Sequence, residues 1–133
     1  MVNSIKIGKV LFQTLKSNEE LKKMVGGKIF PLIAEQTTTY PFVIYYRTNI
    51  TSTIRNKDGF NQDEVSFTVV AVDTDYSKTL DIANEIRKSL EKKRIITTEN
   101  MIISDSHLVG IDESYEDNAY VQRLNFECTI ENK

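Results

Sequence analysis

Two periodicities succeed one another along the chain, and each marks a different kind of element. Positions 65–72 read V-S-F-T-V-V-A-V, which puts Val65, Phe67, Val69 and Ala71 on one face and Ser66 and Thr68 on the other. A period of two predicts a half-buried strand. Val70 and Val72 make the second face apolar too, so the far end of this strand is expected to be covered on both sides. Asp73, Thr74 and Asp75 end it, and Thr74 or Asp75 can cap the next element by accepting from free amides of a first helical turn. The period then lengthens to about 3.6. Leu80, Ala83, Ile86 and Leu90 form a stripe widened by Tyr76 and Thr79, while Lys78, Asp81, Glu85, Lys88, Glu91 and Lys92 occupy the other faces. A helix over 75–93, packing that stripe on a sheet, is expected.

The same reading extends in both directions. Ile5, Val10, Leu11 and Leu15, with Ile7, Phe12 and Thr14 beside them, predict a first helix over 3–16. Ser17 or Asn18 caps a shorter helix over 18–25 containing Glu20, Leu21 and Met24, and Gly26-Gly27 ends it because glycine adopts left-handed backbone freely. Residues 29–33 are extended but broken by Pro31, which suits an edge or a loop. The residue before Pro41 favours extended geometry, and 42–47 is an almost wholly apolar strand. Residues 50–62 are polar with an Asp58-Gly59 turn pair, which predicts a hairpin with a long basic arm carrying Arg55 and Lys57. A weaker strand is expected over 101–111. A final one over 120–130 alternates Tyr120, Leu124, Phe126, Cys128 and Ile130 against Val121, Arg123, Asn125, Glu127 and Thr129, with Gln122 the one break on the inward face. The order α-β-β-α-β-β predicts an α+β fold, a mostly antiparallel sheet with helices packed on one face.

Composition narrows the function more than the fold. The 133 residues suit one domain spanning 1–133, and no apolar run reaches the roughly 20 residues a membrane helix needs. The first 14 residues lack an uninterrupted apolar core and a cleavage site, so no secretory signal is expected. One cysteine forms no internal disulfide, and a formal charge of -2 gives no global basic footprint for nucleic acid.

Candidate chemistry is sparse. His107, the only histidine, lies near Asp105 and Asp112, yet no ligand motif surrounds it. Cys128 falls on the inward register of its strand and reads as a buried hydrophobe. Asp73 and Asp75 are accounted for by strand termination and capping. Asp112, Glu113, Glu116 and Asp117 lack the alternating ligands and central glycine of a calcium loop, and form a solvated hairpin loop or a charged contact surface. Gly26-Gly27 follows a helix and has no Gly-Lys-Ser/Thr continuation, so it is no phosphate loop. No catalytic residue, metal or cofactor is expected.

The N-terminal helix, "VGGKIFPLIAEQ", "TYPFVIYYRT", the Asp-Gly turn, "VSFTVVAVDTDYSKTLDIANEIRKSL" and the closing "YVQRLNFECTI" together resemble the tail-completion or tail-terminator family of long-tailed phages and prophages. The resemblance covers nearly the whole chain. The chain departs from that pattern in its polar hairpin arm and in the acidic segment 112–117. What the resemblance implies is an α+β virion protein that forms a ring, a hexamer, on the head-proximal end of the tail tube and takes part in head-tail joining. Its partners would then be copies of itself, the tail-tube protein and head-tail connector proteins, with no membrane and no direct nucleic-acid recognition. Assembly would occur in the bacterial host cytoplasm, and the product would reside in the virion tail. A long loop in a compact domain is commonly functional, so Ile54, Arg55, Lys57 and Phe60 of the arm are the expected assembly contacts. The alternative is a small non-catalytic RNA- or ligand-binding α+β domain, for which Tyr45, Tyr46 and Phe67 would serve as stacking aromatics.

Overall fold

The computed structural model describes residues 4–55, 60–96 and 101–131. A 3-10 turn, Ser4–Lys6, leads into α1 (Ile7–Lys16) and α2 (Glu19–Val25); three strands follow, β1 (Ile29–Pro31), β2 (Phe42–Arg55) and β3 (Phe60–Asp73). Then come α3 (Tyr76–Leu90), β4 (Lys92–Ile96), β5 (Ile102–Glu116) and β6 (Ala119–Glu131). The strands form one sheet in the order β1-β2-β3-β6-β5-β4. Only β1 and β2 run parallel; the other neighbours are antiparallel. The α+β class therefore holds, but the order α-β-β-α-β-β omits α2, β1 and β4. These are short elements, and β1 and β4 lie at the two margins of the sheet, where little apolar periodicity is needed to hold a strand.

The core lies on one side of the sheet. Val65, Phe67, Val69 and Ala71 of β3 stand opposite Cys128, Phe126, Leu124 and Gln122 of β6. All are buried, and the apolar ones pack with Ile7, Leu11 and Leu15 of α1, Leu21 and Val25 of α2, and Ile82, Ile86 and Leu90 of α3. Phe67 and Phe126 stack at 5.2 Å between ring centroids. Gln122, the polar break in that row, donates to the Thr79 hydroxyl of α3 at 3.5 Å. On the opposite face the apolar end of β3 meets no helix. Val70 and Val72 cluster there with Ala119 and Val121, beside Phe42, Ile44 and Tyr46, so strand neighbours rather than a second layer provide their cover.

Two inward stripes are rotated from the expected ones. In α3 the buried positions are Thr79, Ile82, Ala83, Ile86, Ser89 and Leu90, whereas Leu80 is 43% exposed. Apolar residues at 80, 82 and 83 span a wide arc, and two small hydroxyl residues, Thr79 and Ser89, complete the inner side. Ile5 is 78% exposed because the chain winds there as a 3-10 turn, whose three residues per turn break phase with the α-helix that begins at Ile7.

Capping follows the sequence closely. The Asn18 carboxamide accepts from Leu21 N at 3.1 Å and donates to Ser89 Oγ at 2.8 Å, so one side chain starts α2 and ties it to α3. Gly26 and Gly27 take φ of 61° and 74° at the end of α2. Asp75 caps α3 by accepting from Lys78 N. On β1, Leu32 N donates inward to Tyr45 O and Lys28 O accepts from Val43 N, while Ile29 N turns back to Gly27 O and Ile33 N to Pro31 O.

Candidate assembly surface

Pairing between β2 and β3 continues through Ile50↔Val65 and Thr53↔Gln62 to Arg55↔Phe60. Residues 50–62 are thus mostly ladder, not the long loop expected from their polarity. β-branched Ile50, Thr51, Thr53 and Ile54 supply strand propensity where no hydrophobic alternation does. Glu131, the last described residue of β6, faces Gln62, and Ile54↔Asn61 and Arg55↔Phe60 complete the β2–β3 ladder. The structure therefore brings the backbones of Ile54, Arg55 and Phe60 together near the tip of this arm. Their side chains, and Lys57 and the Asp58-Gly59 pair entirely, lie outside the described residues.

The face of the sheet opposite the helices is held by polar cross-strand pairs. Thr68 donates to Asn125 Oδ1 at 2.8 Å, and Thr129 donates to Glu64 at 3.0 Å. Arg123 donates to Asp112 at 3.1 Å, to Ser114 Oγ at 3.1 Å and to the Glu116 carboxylate. The Ser114 hydroxyl and then the Arg123 guanidinium hold the Glu116 carboxyl below its ordinary value. The segment 112–117 is consequently not a loop. It belongs to β5 up to Glu116, and Asp117 and Asn118, with φ of 52° and 64°, make a two-residue turn to β6 of the left-handed kind that suits strand twist. In the alternation of β6, Arg123 is only one polar residue among several. A single cation within an acidic hairpin, at cross-strand positions from carboxylates, is the signal that identifies it.

The remaining candidate residues do not converge on a site. His107 Nδ1 lies 2.8 Å from the Asp105 carbonyl, not its carboxylate, while Asp112 faces Arg123. His107 and Asp105 line an open cavity of about 270 Å³ with Lys92, Lys93, Glu91 and Ser106. Among the described residues no group of three His, Cys, Asp or Glu side chains is placed to hold a metal ion. Cys128 is buried, and that burial, with the Glu64 charge second, pushes its thiol up to about 12; it is a core residue and a poor nucleophile. Asp73 accepts from Thr74 N at 2.7 Å at the end of β3. Tyr45 and Phe67 are buried on the helix-covered face, which removes two of the three aromatics that base stacking would need. Among the described residues no helix is long and apolar enough to cross a membrane.

Neither a family model nor a curated protein matches the sequence. The fold, however, is shared with solved structures. A chain from the virion of a native gene transfer agent particle superposes with a TM-score of 0.74 at 10% identity, over 92% of this chain and 92% of that one. At that identity the likeness concerns the fold.

Proposed function

We propose that the chain is a structural subunit of a phage-like particle, acting by assembly and without catalysis: a terminator that forms a hexameric ring on the head-proximal end of the tail tube and helps join tail to head. The observation that carries this reading is the end-to-end match in fold with a virion chain, covering 92% of both molecules. A shared fold alone does not carry function. The reading gains support from motifs running from "VGGKIFPLIAEQ" to "YVQRLNFECTI" in the order found in tail terminators. Its partners in this reading are copies of itself, the tail-tube protein and the head-tail connector. The arm residues Ile54, Arg55, Lys57 and Phe60 touch a neighbouring subunit or the tube.

Deletion of the gene from a particle-producing strain is the test. Electron microscopy should reveal tubes of irregular length and heads without tails, and purified protein added back should bind tube ends. Normal tails joined to heads in the deletion strain, together with no binding to tube ends, would falsify the proposal. Replacing the four arm residues with Ser should leave the purified protein folded and abolish capping. Tails of normal length from that variant would remove the arm from the assembly contacts.

A further inference from the structure

The outermost strand does not cover the whole length of its neighbour. β4 pairs with β5 only as far as Ser106, so among the described residues β5 has no outer neighbour from His107 onward. Past the register shift at Leu108/Gly110, β5 runs unbroken against β6 from Gly110 to Glu116. Asp117 and Asn118 form the two-residue turn that closes this hairpin on the pair Glu116↔Ala119. Along an antiparallel pair, residues alternate between bonding to the partner strand and bonding away from it. Counting back from Glu116, Ser114 and Asp112 turn their N–H and C=O groups toward β6, while Tyr115, Glu113 and Ile111 turn theirs outward. Among the described residues no other backbone takes these outward groups up.

Side chains along this free edge differ between the two faces of the sheet. On the helix side Ile111 stands opposite Leu124 and is 50% exposed. Between α3 and β5 lies a trough of about 180 Å³, lined by Leu80, Leu108, Ile111 and Leu124, with Arg87 its one charged lining residue. A strand laid beside β5 would place every second side chain toward that trough and the others on the open face. There they would meet Asp112, Ser114 and Glu116, where the single charge of Arg123 answers two carboxylates. Over 108–125 the chain carries Asp112, Glu113, Glu116 and Asp117 against Arg123 alone.

We propose that the outer edge of β5 is a strand-addition site: it takes an extended segment of a partner protein, apolar at the positions that face α3 and basic at those between. The backbone sets the class of occupant, since outward N–H and C=O groups recurring at every second residue match another extended chain and not a helix. The trough and the carboxylates then set its sequence pattern. Two copies meeting through β5 would set these carboxylates against one another. The basic edge of this chain, β4, reads Lys92-Lys93-Arg94-Ile95-Ile96 and lacks the required alternation, so a different chain is the fitting partner. This goes beyond the terminator reading and does not depend on it.

The probe is the end-capped peptide Lys-Val-Lys-Val-Lys-Val-Lys. Titrated into the protein, it should shift the amide resonances of 110–116 and bind more weakly as salt rises. The same peptide with Glu in place of Lys should bind at least ~10-fold more weakly. N-methylation of one alternate set of peptide amides, the set aimed at β5, should abolish binding, and methylation of the other set should leave it intact. These controls alter only the peptide, so no folding defect can imitate them. In the protein, Leu80→Arg fills the trough from a half-exposed position and should weaken the Lys-Val peptide at least ~10-fold, with melting temperature checking that the variant is folded. Absence of binding up to about 1 mM, equal binding of the Glu-Val peptide, the same outcome for both methylated sets, or resonance shifts confined to another surface overturns the proposal. So does self-association of the wild-type protein that the Lys-Val peptide displaces, since the edge would then belong to a second copy. The tail phenotype of the gene deletion is read separately, so failure here leaves the terminator reading to its own test.

Discussion

The two faces of the sheet use the same strands for different ends. Toward the helices, β3 and β6 present Val65, Phe67 and Val69 against Cys128, Phe126 and Leu124, all buried beneath α1, α2 and α3. One residue along, the same strands present Ser66, Thr68, Asn125 and Arg123; Thr68 bonds to Asn125 across the pair, and Arg123 reaches over to β5. The covered face supplies the apolar burial that drives folding. The open face contributes register, through pairs worth tenths of a kcal/mol up to about 1 kcal/mol each, and leaves a surface that neighbours can use.

That division is tested first where it should matter most. Phe67→Ala removes half of a buried stacked pair and should cost about 3–5 kcal/mol in chemical unfolding, the range for deleting a core aromatic. A loss near that of a surface substitution would mean that the stability does not reside on this face. Asn18→Ala should cost about 0.5–2 kcal/mol, because the cap of α2 and its tie to Ser89 disappear together. Restoring the cap alone with Asn18→Asp should return only part of it.

Acid should act more weakly and locally, through carboxyls that bond to or within β5. The Glu116 and Glu91 carboxyls are both held below the ordinary 4.5, Glu116 first by Ser114 and then Arg123, Glu91 first by Arg87 and then by Leu108 N. A depressed folded value means stability that is present above pH 4.5 and lost as pH falls through the folded values. Amide exchange in β5 should therefore accelerate on acidification below about pH 4.5 before exchange in β3 does. Equal acceleration in both strands would erase the distinction. Leu80→Ala should change stability least, by under about 0.5 kcal/mol, since its half-exposed side chain lines a surface cavity with Arg87 and Ile111 rather than the core. A cost above about 2 kcal/mol would put Leu80 back among the buried positions.

How much of the fold is legible in the sequence depends on whether a single period governs a segment. Positions 65–69 of β3 and 120–130 of β6 alternate, so their helix-facing rows, including the break at Gln122, can be read from the sequence. β5 has two register shifts, between Ser104 and His107 and between Leu108 and Gly110, and each moves an apolar residue out of phase. Its strand character consequently fades in the sequence before Glu116. The outer halves of β2 and β3 are paired on polar residues, where alternation carries no signal about burial, and such a stretch reads as a loop. The candidate surface suffers most from the same cause. Arg123 and the acidic residues of β5 are brought together by the β5–β6 register, and one-dimensional spacing holds no trace of that register.

The hydrogen bonding of β1 has a further consequence. A sheet margin with free amides is a template on which strands of other molecules stack, the route by which concentrated proteins pass into fibrils. β1 offers no such template: Pro31 has no amide hydrogen, and the amides on either side of it, Ile29 N and Ile33 N, are spent on Gly27 O and Pro31 O. Neighbours can reach this margin only through side chains, whose fit is selective. A pool of unassembled subunits can therefore accumulate without seeding amyloid from this border.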